Sequence, residues 1–215
     1  MTLCRSVAML ISLVLVPLTV AAAPPPEPTV EYSADSTMET EGGMTMKSRV
    51  YHTPTKQRME MGGADGSVTI IRKDKKVVWQ VMGDMYMEMP LDQSNAPDMG
   101  GFDIQEQTEV GEETVNGLKT TKTKIIATKP DGSKFGGFFW TTKEGVTVKM
   151  DLLSKEGDKK MRMASELTNV KIEKQNPALF EVPAGATKND MGAMMGQGGM
   201  PNMEEMMKNA GQERA

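Results

Sequence analysis

The sequence predicts a mainly β protein, an antiparallel meander with few short helices, and three observations carry that expectation. Turn signals recur at strand-length intervals, apolar residues between them alternate with period two, and helical periodicity is nearly absent. At 215 residues, with 38% hydrophobic and 25% charged, the chain suits one domain of moderate size flanked by tails.

Residues 1–22 read as a cleaved signal peptide: Arg5 supplies the positive start, Val7 to Val20 the apolar run, and Val20-Ala21-Ala22 the small residues before the cut. Cys4 leaves with that peptide, so the mature chain is expected to carry no thiol, and its destination is the periplasm or the cell exterior. Residues 23–29 form a proline-rich spacer, 30–188 the β domain, and 189–215 a methionine- and glycine-rich tail expected to be largely disordered. Within the tail, Asn202 can cap a two-turn helix with Met203, Met206, Met207 and Ala210 on one face. Too short to persist alone in water, it would fold against an envelope partner.

Inside the domain, Gly42-Gly43 separates a strand over Thr29 to Glu41 from one over Met44 to His52, and Pro54 interrupts before Gln57 to Met61. The stretch from Lys76 to Pro90 is the most determinate. Gly83-Asp84 suits a type II′ turn, so counting outward sets Met82 opposite Met85, Gln80 opposite Met87 and Val78 opposite Met89. Asp74-Lys75 turns the strand Ser67 to Lys73 onto the same ribbon, with Ile71 against Val78 and Ile70 against Trp79. One face then carries Thr69, Ile71, Val78, Gln80, Met82, Met85, Met87 and Met89; the other carries Val68, Ile70, Val77, Trp79, Val81, Tyr86 and Glu88.

The segment from Leu91 to Asp103 reads as a long loop with room for a short helix around Asp92 to Asn95. Asn116-Gly117, Pro130-Asp131-Gly132, Lys143-Glu144-Gly145 and Gly157-Asp158 then join five strands. They run over Glu112 to Val115, Leu118 to Thr128, Lys134 to Thr142, Val146 to Ser154 and Lys160 to Ile172. The lysines from Lys119 to Lys124, alternating with threonines, read as a solvated face.

Most chemistry is disfavoured. A formal charge of -4 offers no basic footprint for nucleic acid. His52, the single histidine, stands at a strand end before Thr53-Pro54 and reads as a surface residue, so a serine nucleophile would lack a base. Zinc and Cu(II) sites need several His or Cys ligands, and the glycine clusters at Gly62 and Gly196 lack the context of a phosphate loop. Neither an enzyme nor a cofactor is expected.

The 22 methionines remain. In the first of three readings, Ile71, Val78, Met82, Met85, Met87 and Met89 line an adaptable apolar cavity. In the second, Met44, Met46, Met59, Met61, Met161 and Met163, joined by the tail, hold Cu(I) or Ag(I) through soft thioethers. In the third, the methionines fill irregular gaps in a core.

Three sequence features also carry a resemblance: Gly111-Glu112-Glu113-Thr114-Val115-Asn116-Gly117, Phe139-Trp140 before the Glu144-Gly145 turn, and Asn176-Pro177-Ala178-Leu179-Phe180-Glu181-Val182-Pro183. Together they resemble a domain family of unknown function that is similar to the outer-membrane lipoprotein carriers (LolA-like) and the LppX-LprG lipid-binding superfamily. The resemblance implies a strongly curved, incomplete antiparallel half-barrel whose hydrophobic hollow shelters a lipid, a lipoprotein acyl chain or another apolar ligand. This chain departs from the carriers in lacking a pattern for a long N-terminal helix, and in placing Ala186 where an aromatic residue is usual.

Overall fold

The computed structural model describes residues 26–62, 66–93, 103–128, 132–156 and 159–189. The expected signal peptide at 1–22, the tail, most of the loop after Gln93 and the turns at 129–131 and 157–158 lie outside the described residues.

Twelve strands form one sheet in the order β12-β6-β5-β4-β3-β2-β1-β11-β10-β9-β8-β7. They are β1 (Tyr32–Thr40), β2 (Thr45–Thr53), β3 (Lys56–Met61), β4 (Val68–Arg72), β5 (Val77–Met82), β6 (Met85–Pro90), β7 (Asp103–Val115), β8 (Leu118–Thr128), β9 (Lys134–Thr141), β10 (Thr147–Glu156), β11 (Lys159–Ile172) and β12 (Thr187–Lys188). Every neighbouring pair is antiparallel except β12 with β6. Leu91–Gln93 and Pro177–Phe180 are single 3-10 turns, and the described residues contain no α-helix.

Connectivity requires this sheet to curl. β6 and β7 are consecutive in the chain yet stand almost at opposite ends of the order. Laid flat, the roughly ten spacings between them would take about 48 Å. The chain from Pro90 to Asp103 reaches only about 45 Å at full stretch. The two ends of the sheet therefore bend toward each other. Because β12 and β7 do not pair, the result is an open, incomplete barrel.

The central hairpin follows its turn. Gly83 takes φ +60, and β5 and β6 pair with Met82 opposite Met85, Gln80 opposite Met87 and Val78 opposite Met89. On β4, Ile70 faces Trp79 and Ile71 faces Val78, although the connection is wider than a two-residue turn: strand pairing stops at Arg72 and Val77, and Lys76 takes φ +56. The shared register survives because the loop lengthens without shifting either strand.

Some expectations need correction. The first strand begins at Tyr32, not Thr29, because residues 26–30 leave the sheet and run beneath it. Thr29 N–H donates to the Glu144 carbonyl at 3.0 Å, and Glu27 pairs with Lys73 at 2.7 Å. β7 starts at Asp103 and runs nine residues further upstream than Glu112, through a polar stretch with no apolar alternation, held by its pairing with β8. His52 is not a surface residue but is 7% exposed, stacked on Tyr32 with ring centroids 5.0 Å apart. Its Nδ1 lies 3.3 Å from the Val30 carbonyl, so the strap at 26–30 covers the strand end that sequence leaves open. In the lysine-threonine run, Lys122 is half-buried over the Trp140 and Phe138 rings, at 4.9 and 5.0 Å.

The core falls into clusters on both faces. On one side, Ile125, Ala127, Phe135, Phe139 and Leu152 bury one another, with Ile104, Met150 and Met163 packed against them. We term this the inner face; it also carries His52 and the hollow under Pro26. On the outer face of β4 to β6, Phe180 covers Ile70, Trp79 and Val81 and is itself 1% exposed. The segment quoted for the family resemblance is thus a clasp. The Asn176 side chain caps its turn, Arg72 donates to the Phe180 carbonyl at 3.1 Å, and Arg58 donates to the Leu179 carbonyl at 3.0 Å.

Candidate functional site

Tracing opposed residues from strand to strand assigns every strand methionine among the described residues to the inner face. Met38 opposes Met46, and Met59 and Met61 oppose Val50 and Ser48. Met82, Met85, Met87 and Met89 line the β5–β6 ribbon, and Met150, Met161 and Met163 lie on β10 and β11. The neighbouring charges alternate to the outer face, where Arg49, Arg58, Lys149, Asp151 and Arg162 pair with one another or with nearby carboxylates and serines. Period-two sidedness makes this separation, since one missed step on any strand would invert it.

The six residues expected to line a cavity share this wall with unequal cover. Val78 is buried, Ile71 and Met87 are half-buried, and Met82, Met85 and Met89 are 43%, 46% and 36% exposed. Burying what these last three still expose would stabilise by on the order of 3 kcal/mol. β12 pairs with the start of the free edge of the same ribbon: Thr187 N–H donates to the Asp84 carbonyl at 2.8 Å and Asn189 N–H to the Tyr86 carbonyl at 2.7 Å. The tail, whose helix face was read as a partner site, lies outside the described residues.

Two hollows stand elsewhere. One of about 180 Å³ lies on the inner face under Pro26, lined by Gln107, Thr121, Thr123 and Phe139. It is smaller than the ~300–1,000 Å³ of most small-molecule sites. The other, about 590 Å³, is a shallow outer groove over Ile126, Gly136, Phe138 and Leu153, rimmed by Lys124, Lys134, Lys155 and Arg162. Neither is lined by Ile71, Val78, Met82, Met85, Met87 or Met89. The outer groove is invisible from sequence, because it needs Gly136 set between Ile126 and Leu153, residues of three different strands.

The titratable groups act structurally. Burial lowers the His52 imidazole pKa, and among the described residues the ring stacks on Tyr32 and its Nδ1 meets the Val30 carbonyl. Hydrogen bonds from Trp140 Nε1 at 2.6 Å and Lys122 at 3.0 Å hold Glu113 below the usual carboxylate range. No group of three or more His, Cys, Asp or Glu side chains suited to a metal occurs among the described residues. Nor does any helix there have the length and apolarity to cross a membrane.

The fold defines a class: a single open, unclosed sheet, antiparallel except at β12, with its strand methionines on one face. No family model and no curated protein matches the sequence. Among solved structures, MucB is similar at 11% identity with a TM-score of 0.50, over 75% of this chain and 60% of MucB, so the chain spans less than two thirds of that protein. The lipoprotein LppX of Mycobacterium tuberculosis is similar at 12% identity with a TM-score of 0.39, over 67% of this chain and 88% of LppX. An outer membrane lipoprotein-sorting protein domain from Vibrio parahaemolyticus is similar at 8% identity and 0.38, over 70% of this chain and 89% of that domain. At these identities the likeness is one of fold.

Proposed function

We propose that this is a non-enzymatic envelope protein, exported by its leader, that shelters an apolar ligand against the inner methionine wall. A lipid or a lipoprotein acyl chain is the ligand class. One observation supports the reading above the rest: the strand methionines share the inner face, and three of them stay uncovered at one edge of an open barrel. Unbranched thioether chains re-pack around ligands of varied shape, which suits a wall that must accept acyl chains of different length. A buried chain gains about 0.8 kcal/mol per methylene before ordering costs.

The test is native mass spectrometry of the mature protein from an envelope extract, followed by titration with a fluorescent fatty acid. Co-purifying lipid is expected. Met87→Asp should reduce both signals, and Leu153→Asp, in the outer groove, should leave them intact. Lipid-free protein indifferent to the fatty acid would overturn the reading, and loss through Leu153→Asp alone would move the site to the outer face.

A further inference from the structure

Beyond an apolar ligand, we infer that Met38, Met46 and Met61 form a binding site for a soft monovalent cation, Cu(I) or Ag(I). Met38 and Met46 are directly opposed on β1 and β2, and Met61 opposes Ser48, two residues from Met46 on the same face. Opposed residues in such ladders have Cα atoms about 4.5–5.5 Å apart, and diagonal ones lie within about 7–8 Å. Met38 and Met61 stand two strands apart, on the order of 10 Å, so Met46 between them is the shared partner and the outer two would reach inward along their unbranched chains to meet at it. All three are half-buried, so they are sheltered without being sealed. Met44, 63% exposed beside Met46, stands at the mouth.

The surroundings suit that cation and discriminate against harder ones. Ser36, Thr40, Ser48, Met163 and Ser165 are the inner-face neighbours, while Glu39, Lys47 and Glu60 alternate outward. A neutral thioether offers little to Mg²⁺, Ca²⁺ or Zn²⁺, and much to a soft ion. It also carries no proton to displace, unlike cysteine or histidine ligands. Uptake should therefore be nearly independent of pH. Sequence spacing misses Met38, which belongs to no Met-x-Met pair and joins the cluster only through the β1–β2 register.

The experiment uses the full mature chain labelled at its methionine methyl carbons and titrated with Ag(I), with anaerobic Cu(I) competition against a chromogenic chelator. The first equivalent of Ag(I) should shift the methyl resonances of Met38, Met46 and Met61 and leave Met87 and Met89 in place. The double variant Met38→Leu, Met46→Leu keeps size and apolarity and should weaken binding at least about tenfold at unchanged thermal stability. Met87→Leu with Met89→Leu should not weaken it, and neither should deletion of 191–207. The inference is independent of the apolar-ligand reading, since both leucine variants preserve an apolar wall. Absence of uptake, shifts confined to the tail or to the β5–β6 ribbon, or uptake that falls steeply between pH 7.5 and pH 5.5 would each overturn it.

Discussion

Arg72 on β4 donates a hydrogen bond from its guanidinium to the Phe180 carbonyl oxygen at 3.1 Å, joining residues 108 positions apart in the chain. The same guanidinium is only 4% exposed, and it pairs with Asp74 at 2.7 Å and with Glu181. The C-terminal clasp thus has a polar latch beside its aromatic plug. The latch neutralises a charge that burial would otherwise make costly.

Arg72→Ala should destabilise the protein by about 1–3 kcal/mol, read as a lower urea midpoint, because it leaves the Phe180 carbonyl without its buried donor and removes the guanidinium packed over Trp79. Lys75→Ala removes an exposed pair with Glu181 and should change stability by under about 1 kcal/mol. A pH signature accompanies the latch. Hydrogen bonding from Arg72 pulls the Asp74 carboxyl down to about 2. Its contribution is whole above pH ~4, where the unfolded carboxylate is ionised, and drains away as pH falls toward 2. Acid unfolding curves of the parent and of Asp74→Asn should converge across that window. Parallel curves would remove Asp74 from the latch.

Gly137 leaves no room for a side chain. A Cβ there would stand 2.0 Å from the Asp151 carbonyl oxygen and 2.9 Å from the Leu152 Cα, both backbone atoms of β10. Gly137→Ala must therefore part β9 from β10, through the middle of the inner core, and should cost more than about 3 kcal/mol in thermal unfolding or abolish soluble protein. Gly83→Ala, strained only by φ +60 at an open turn, should cost about 1 kcal/mol. An alanine at 137 tolerated as well as one at 83 would contradict the close approach of the two strands.

β12 contributes two residues, yet it pairs the start of the free edge of β6, at Met85 and Tyr86. A chain ending at Ala186 should expose that edge and associate with itself, whereas one ending at Asn189 should not. Sedimentation velocity distinguishes them. Identical behaviour of the two truncations would show that the edge needs no cover.

Local chemistry determines the β5–β6 ribbon almost completely: a Gly-Asp turn sets the register, register sets sidedness, and sidedness gathers Met82, Met85, Met87 and Met89. The sequence also carries the fold class and most turns, since each rests on a few adjacent residues. It does not carry β7, whose polar residues 103–111 are strand only because β8 offers hydrogen bonds, nor the burial of His52 beneath a strap anchored at Glu144. Tertiary structure alone decides that Phe180 covers Trp79, that Met38 meets Met46 beside Met61, and that β1 lies against β11. The reason is that backbone ladders between distant segments are chosen by the total burial the whole sheet achieves, a quantity no local window of residues contains.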